Sequence, residues 1–272
     1  MKSVMNKTVL VTGGAMGMGK AYVERAVRDG AKHVVIWDLN EEAMAATKAE
    51  LENDKTKIHT FAVNVTDTEL IYETAQKVLD EVGPVHLLFN NAGIVVADNF
   101  IAHERKAIDL SMQINSVAPM HIARAFLPAM AEVNDAHIVN ISSGAGYMYC
   151  PKIAVYCGSK WAMAGWSNSL RVELEETLPH IKVTTVTPGH INTGMFDGAH
   201  SKLMPAISTD KMVDAVWNGV KKDKINVARP RVVAFIPLIR GLIGFKGYDW
   251  LSKVTGTNDF MAGHNDTRKK DK

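Results

Sequence analysis

The chain has 272 residues, of which 47% are hydrophobic and 22% charged, and its formal net charge is +2. These values are ordinary for a globular protein and exclude a largely disordered chain. The net charge is small and no stripe of lysine and arginine is present, so we expect no nucleic-acid partner.

The cysteine count and the N-terminal residues indicate the compartment. Cys150 and Cys157 have no metal-ligand spacing, so we expect no metal site and a reducing cytoplasmic environment. Residues 1–7 are short and polar and lead directly into a strand-like run, so we expect no signal peptide. No apolar stretch reaches the ~20 residues that span a bilayer.

Short β-branched runs alternate with longer amphipathic stretches along the chain. This alternation predicts strands at 8–12, 33–37, 57–63, 85–89, 137–141, 182–186 and 231–236, and helices at 17–28, 41–52, 68–82, 105–130, 155–177 and 209–221. Asn40 and Asp67 are predicted N-caps, and Gly30 and Gly83 are predicted C-terminal stops. The pattern predicts one doubly wound α/β domain over residues 1–236, with a mainly parallel sheet of about seven strands and helices on both faces.

A glycine-rich loop follows the first predicted strand, in the sequence Thr-Gly-Gly-Ala-Met-Gly-Met-Gly of residues 12–19. Glycines at such a turn let backbone amides approach a pyrophosphate, and the following helix adds its positive N-terminal dipole. Predicted contacts in this loop are Gly13, Ala15, Met16, Gly17, Met18 and Gly19.

Asp38 ends the second predicted strand, 19 residues after Gly19. A carboxylate at this distance suits the ribose hydroxyls of an adenosine and repels the additional phosphate of NADP. Since its neighbours Trp37 and Leu39 are uncharged, we predict NAD as the cofactor. Asp38 also lies where a helix N-cap would lie, and both roles are compatible.

Tyr156 and Lys160 lie four residues apart, so they share one face of a helix. An ammonium beside a phenol lowers the phenol pKa, which predicts a general acid/base at this position. Further polar residues accompany the pair: Ser142-Ser143 follows a predicted strand, thirteen residues before Tyr156, and Asn115 lies inside a predicted helix.

The ordered set of motifs resembles the short-chain dehydrogenase/reductase family over about residues 5–236. The set comprises the glycine loop, Asn90-Asn91-Ala92-Gly93, Asn115, Ser143 with Tyr156-x-x-x-Lys160, and Pro188-Gly189. The resemblance implies that Tyr156 exchanges the hydroxyl proton and Ser143 binds the substrate oxygen. It further implies that Lys160 holds the nicotinamide ribose and Asn115 anchors a water molecule. The other implied cofactor contacts are Asn64, Val65, Asn91, Ala92, Gly93, Pro188, Gly189, Ile191 and Thr193. Asn64 departs from the family, which usually has an aspartate there.

The residues around Ser143 predict the substrate class. Alongside Ser143, the candidate substrate contacts are Ala145, Met148, Tyr149, Met195 and Phe196. This set contains no cation to clamp an acidic substrate, although some of its members could instead be core residues. We therefore predict an oxidoreductase that transfers a hydride between NAD and a hydrophobic secondary alcohol or ketone, steroid-, retinoid- or fatty-alcohol-like. The alternatives are a catalytically idle NAD sensor, a 3-oxoacyl-type reductase, or an isomerase that uses the cofactor internally.

The C-terminal residues 237–272 form an apolar extension and a basic tail. Three glycines and a proline in 235–250 argue against one long straight helix. The extension could cover the active site, pack in an oligomer interface, or touch a membrane surface as a peripheral contact. Because short-chain dehydrogenases often bury such segments between subunits, the resemblance favours a homodimer or homotetramer.

Overall fold

The computed structural model describes residues 1–192 and 206–261. Seven strands form one sheet, and every pairing within it is parallel. The strands are β1 (Thr8–Thr12), β2 (His33–Asp38), β3 (Lys57–Ala62), β4 (Leu87–Asn90), β5 (Ala136–Ile141), β6 (Ile181–Pro188) and β7 (Asn226–Arg229). Their order across the sheet is β3-β2-β1-β4-β5-β6-β7, which confirms the predicted doubly wound α/β fold.

Helices connect the strands and cover both faces of the sheet. They are α1 (Gly17–Arg28), α2 (Glu41–Leu51), α3 (Thr68–Glu81), α4 (Arg105–Met112), α5 (Ala118–Ala131), α6 (Ala154–Thr177), α7 (Thr209–Lys221) and α8 (Ile236–Val254). Across residues 1–192 and 206–261, no helix is both long and apolar enough to cross a membrane.

Local sequence signals fix several of these boundaries. The Asn40 side chain accepts a hydrogen bond from the Ala43 amide at the start of α2, and Asp67 accepts one from Leu70 at the start of α3. Gly30 and Gly83 have φ values of 81° and 93°, which favour glycine. The predicted caps and stops are therefore confirmed.

Two apolar cores lie on opposite faces of the sheet. On one face, Phe89 of β4 packs against Tyr22 of α1 and Trp217 of α7, with ring centroids 4.4 and 5.9 Å away. On the other face, Trp37 of β2 packs against Phe126 of α5 at 5.5 Å. The strand order reverses between β1 and β4, so a crevice forms at the carboxyl ends of these strands.

The predicted strand at 231–236 is wrong. The seventh strand is instead Asn226–Arg229, and a 3₁₀ helix, Arg231–Phe235, follows it. The observed strand lies at the sheet edge with only Val227 and Ala228 buried, so it gives a weak apolar signal. The β-branched pair Val232-Val233 gave a stronger signal, although it lies outside the sheet.

One helical prediction needs revision, and the expected break in the C-terminal segment is observed. The predicted helix at 105–130 is interrupted by a π-helical turn, Gln113–Val117, which separates α4 from α5. The C-terminal segment is mostly helical, but α8 bends at Gly244, where φ is 65° and ψ is −178°. The glycines therefore break a straight helix, as expected, without preventing helix formation on either side.

Candidate active site

The glycine loop between β1 and α1 places backbone without side chains at the crevice. Gly13 and Gly17 have φ values of 63° and 55°. A Cβ at Gly19 would lie 1.8 Å from the carbonyl oxygen of Gly13, so no side chain fits there. Close backbone approach without side chains is the arrangement that a pyrophosphate requires at a helix N-terminus.

Thr12 and Asn91 hold this loop against the end of β4. The Thr12 hydroxyl oxygen accepts hydrogen bonds from the amides of Asn91 and Ala92, each at 3.0 Å. The Asn91 side-chain amide donates to the carbonyl oxygens of Thr12 and Gly13, at 2.9 and 3.2 Å. Asn91 is thus a structural support for the glycine loop as well as a wall of the crevice.

The crevice is an open cleft, and it gathers nearly all of the predicted cofactor contacts. Those that line it are Gly13, Met16, Gly17, Met18, Gly19, Asp38, Asn64, Val65, Asn91, Ala92, Gly93, Tyr156, Lys160, Pro188, Gly189 and Ile191. Two predicted contacts are not among them. Ala15 is buried beneath the loop, and Thr193 lies outside the described residues.

Asp38 lies at the end of this cleft beside the glycine loop. One carboxylate oxygen accepts from the Ala15 amide at 3.0 Å, and the other accepts from the Asn40 amide at 3.1 Å. These bonds fix the carboxylate at the lip of the cleft, where it adds negative charge. A glycine cradle with an acid at this distance fits a dinucleotide whose ribose hydroxyls donate to Asp38.

Tyr156 and Lys160 lie on α6 and are both buried. The Lys160 Nζ lies 5.8 Å from the centroid of the Tyr156 ring and donates to the Ile141 carbonyl oxygen at 2.9 Å. Burial raises the pKa of Tyr156 to about 12, although its hydrogen bond with Ser143 acts in the opposite direction. Burial also lowers the pKa of Lys160 to about 8.

These shifts correct the expectation that the ammonium lowers the phenol pKa. Within the chain itself, desolvation of the phenolate exceeds any stabilisation that Lys160 provides. Burial thus favours the protonated form of the phenol within the chain itself.

Asn115 occupies the π-helical turn and is fully buried. Its side-chain oxygen accepts from the Ile94 amide at 2.9 Å, while its amide donates to the Ile94 carbonyl oxygen at 2.9 Å and to Ser159 Oγ at 3.0 Å. A Cβ at Gly93 would lie 3.2 Å from the Asn115 oxygen and 3.5 Å from Lys160 Nζ. Asn115 therefore joins the loop after β4 to the helix that carries Tyr156.

A second, apolar pocket opens on the other side of Tyr156. Three predicted substrate contacts, Ser143, Ala145 and Met148, line it. Tyr149 does not: its hydroxyl donates to Asp249 at 2.9 Å and its ring packs against Tyr248 of α8. Met195 and Phe196 lie outside the described residues.

The C-terminal end of the described chain closes this pocket. Thr257 and Phe260 form part of its wall, and the Cys150 thiol donates to the Thr257 carbonyl oxygen at 3.3 Å. The Phe260 ring meets His190 edge-on, with centroids 5.6 Å apart. The sequence analysis missed Cys150, Ile153, Thr257 and Phe260 as residues of this pocket. No periodicity signals that Thr257 and Phe260, about a hundred residues after Tyr156, return to it.

Known proteins resemble this chain over most of its length. A family model described as short chain dehydrogenase matches residues 7–203. Estradiol 17-beta-dehydrogenase 11 of Homo sapiens is 31% identical over 243 residues, which cover 89% of this chain and 81% of the relative. Epidermal retinol dehydrogenase 2 of Mus musculus is 31% identical over 274 residues, covering 99% and 88%.

Solved structures support the fold. A short-chain dehydrogenase/reductase from Burkholderia phymatum, in complex with NAD, has a TM-score of 0.81 and 22% identity, covering 89% of this chain and 96% of that one. A short-chain dehydrogenase from Burkholderia cenocepacia, in complex with NADP, has a TM-score of 0.76 and 24% identity, covering 93% and 98%. These two structural neighbours thus hold different nicotinamide cofactors.

Proposed function

The chain belongs to the short-chain dehydrogenase family, and we propose that within it the protein is an NAD-linked oxidoreductase of hydrophobic secondary alcohols and their ketones. The family supplies the reaction type, an oxidation or reduction with a nicotinamide cofactor. The described residues support the choice of cofactor, the substrate class and the residue that moves the proton.

The observation that carries the proposal is the position of Tyr156 between two cavities. Tyr156, Ser143, Pro188 and Gly189 line both the open cleft and the apolar pocket. A substrate oxygen beside Tyr156 therefore lies where the two spaces meet. This is the place at which a reacting carbon in the pocket can approach the end of a dinucleotide in the cleft.

The protein residues orient the substrate and move its proton. The hydroxyl of Ser143 holds the substrate oxygen, and Tyr156 gives a proton to a ketone oxygen or takes one from an alcohol. Lys160, buried beside Tyr156, stabilises the phenolate that forms when the proton leaves. A bound nicotinamide would supply or accept the hydride.

Asp38 supports NAD over NADP. Its carboxylate is held by the Ala15 and Asn40 amides at the lip of the cleft. An additional phosphate on the adenosine ribose would meet this negative charge at close range. Ribose hydroxyls, in contrast, can donate hydrogen bonds to the carboxylate.

The apolar pocket supports a hydrophobic substrate. Its side chains beyond Tyr156 and Ser143 include Met148, Cys150, Ile153 and Phe260, and none of these four is charged. Two relatives are named for estradiol and retinol, which are both largely apolar alcohols. Pocket chemistry and the names of these relatives thus both support a hydrophobic alcohol as the substrate.

Nicotinamide absorbance of the purified chain tests the proposal. NAD and NADP are each supplied with a panel of steroid, retinoid and long-chain alcohols, for the wild type and Asp38→Asn. The substitution retains an oxygen that can accept from Ala15 while removing the charge. We expect turnover with NAD and a hydrophobic alcohol, and at least about a tenfold loss of preference for NAD in Asp38→Asn.

Two results would contradict parts of this proposal. NAD binding without turnover on any alcohol or ketone would refute the oxidoreductase assignment and favour a cofactor sensor. An unchanged preference in Asp38→Asn would remove this carboxylate as the determinant of cofactor choice.

A further inference from the structure

The C-terminal segment exposes an unusual number of large apolar side chains, before and after its bend at Gly244. Leu242, Phe245 and Trp250 are 76%, 73% and 66% exposed. We give the name α8 apolar face to these three and the other strongly exposed apolar residues of the segment: Phe235, Leu238, Leu242, Phe245, Trp250 and Val254. Monomeric soluble proteins rarely expose so much apolar surface in one place without a partner for it.

The inward side of the same segment is firmly packed. Ile236, Tyr248 and Ser252 are buried. The Arg240 guanidinium lies 4.4 Å from the centroid of the Trp161 ring and donates to the Tyr147 carbonyl oxygen at 3.2 Å. The α8 apolar face is therefore held at a fixed place on the domain.

Cations accompany the apolar side chains. Residues 231–254 contain four basic residues and one acidic residue. Arg231, Lys246 and Lys253 are exposed, and the single acid, Asp249, accepts a hydrogen bond from Tyr149. Lys246 precedes Trp250 by four residues and Lys253 follows it by three, so both cations lie on the same side of α8 as the indole.

This charge distribution distinguishes between two possible partners of the α8 apolar face, a second copy of the chain and an anionic lipid surface. A two-fold interface between copies would place the same patch against itself, so cations would face cations with little acid to pair with them. An anionic lipid surface offers negative headgroups for the cations and an apolar interior for leucine, phenylalanine and tryptophan. The positive charge beside the α8 apolar face is complementary to an anionic lipid surface and not to a second copy of the same face.

We propose that the α8 apolar face is a docking surface for anionic phospholipid membranes. Leu242, Phe245 and Trp250 enter the headgroup and acyl boundary, while Lys246 and Lys253 contact the anionic headgroups.

Docking at this face has a consequence for substrate delivery, and this consequence rests on the proposed function. Ile236 and Tyr248 pack in one apolar cluster with Met148, which lines the substrate pocket. A docked protein would thus hold its apolar pocket close to the lipid surface, where hydrophobic alcohols concentrate.

Vesicle flotation of the purified full chain tests the docking directly and needs no enzymatic activity. The vesicles are phosphatidylcholine alone or phosphatidylcholine mixed with phosphatidylserine. We expect flotation with the anionic vesicles that weakens as salt rises, and at least about tenfold weaker binding for Leu242→Glu combined with Phe245→Glu. These side chains are exposed, so the substitutions leave the fold intact, which circular dichroism verifies.

Two further variants make the test specific. Ile225→Glu is the matched control: Ile225 is also an exposed apolar residue, but it precedes β7 at the opposite end of the sheet from the cleft, and we expect unchanged flotation. Lys246→Glu combined with Lys253→Glu should weaken binding to the anionic vesicles. Absent flotation of the wild type, or equal flotation of all variants, would overturn the proposal. So would a dimer in sedimentation that Leu242→Glu with Phe245→Glu dissociates, since the occupant would then be a second copy.

Discussion

At the scale of single residues, burial has the largest effect on the pKa values of Tyr156 and Lys160. Tyr156 and Lys160 share a face of α6, as the spacing predicts, but their pKa values move toward the neutral forms of both groups. Spacing along a helix identifies the neighbours of a residue and says nothing about how much water surrounds it. The direction of these shifts therefore required the three-dimensional surroundings.

His137 of β5 gives a prediction about acid stability. Its side chain is fully buried, and burial lowers its pKa from 6.5 to about 3. Between these values the unfolded chain binds more protons than the folded chain, so stability falls as pH falls through this window. The contribution of His137 is about 1.4 kcal/mol per pH unit.

Urea unfolding at several pH values measures this effect. We expect the wild type to lose stability more steeply than His137→Gln between about pH 6 and about pH 4. His33, His59 and His86 also have lowered pKa values, but they are present in both proteins and cancel in the difference. Parallel slopes for the two proteins would show that His137 is not the titrating group.

At the scale of elements, the glycine loop requires that position 19 carry no side chain, because Gly19 packs directly against Gly13. A Cβ at Gly19 would overlap the backbone of Gly13, and backbone there cannot move without displacing the loop. We expect Gly19→Ala to cost at least about 2 kcal/mol of stability and to weaken NAD binding.

Gly165 provides the matched control. It lies in α6, where a Cβ would meet nothing within 4 Å. Gly165→Ala should therefore be neutral or stabilise the protein by up to about 1 kcal/mol, with unchanged NAD binding. Denaturant unfolding and calorimetric titration measure both quantities, and similar losses in the two variants would contradict the steric explanation.

The sequence predicted the elements best where they are buried or capped. The strands β1, β2, β4 and β5 carry buried, mainly apolar runs, and Asn40, Asp67, Gly30 and Gly83 mark helix boundaries chemically. The edge strand β7 lacks such a run, and the prediction moved to residues 232–233. The π-helical turn at Gln113–Val117 escaped prediction because its side chains follow an ordinary helical pattern.

At the scale of the whole molecule, the fold brings distant segments to one site. The glycine loop, Asp38 and the loop after β4 meet because β1, β2 and β4 are neighbours in the sheet. The family motifs made this cleft predictable. The far wall of the apolar pocket was not, because Thr257 and Phe260 reach it only through the path of the C-terminal segment.

The most direct test of the proposed chemistry compares the wild type with Tyr156→Phe in a nicotinamide absorbance assay, with NAD affinity measured in parallel. The substitution removes only the hydroxyl that meets both cavities. We expect a fall in turnover of at least about a hundredfold with little change in NAD affinity. Near-normal turnover in Tyr156→Phe would contradict the assignment of Tyr156 as the group that moves the substrate proton.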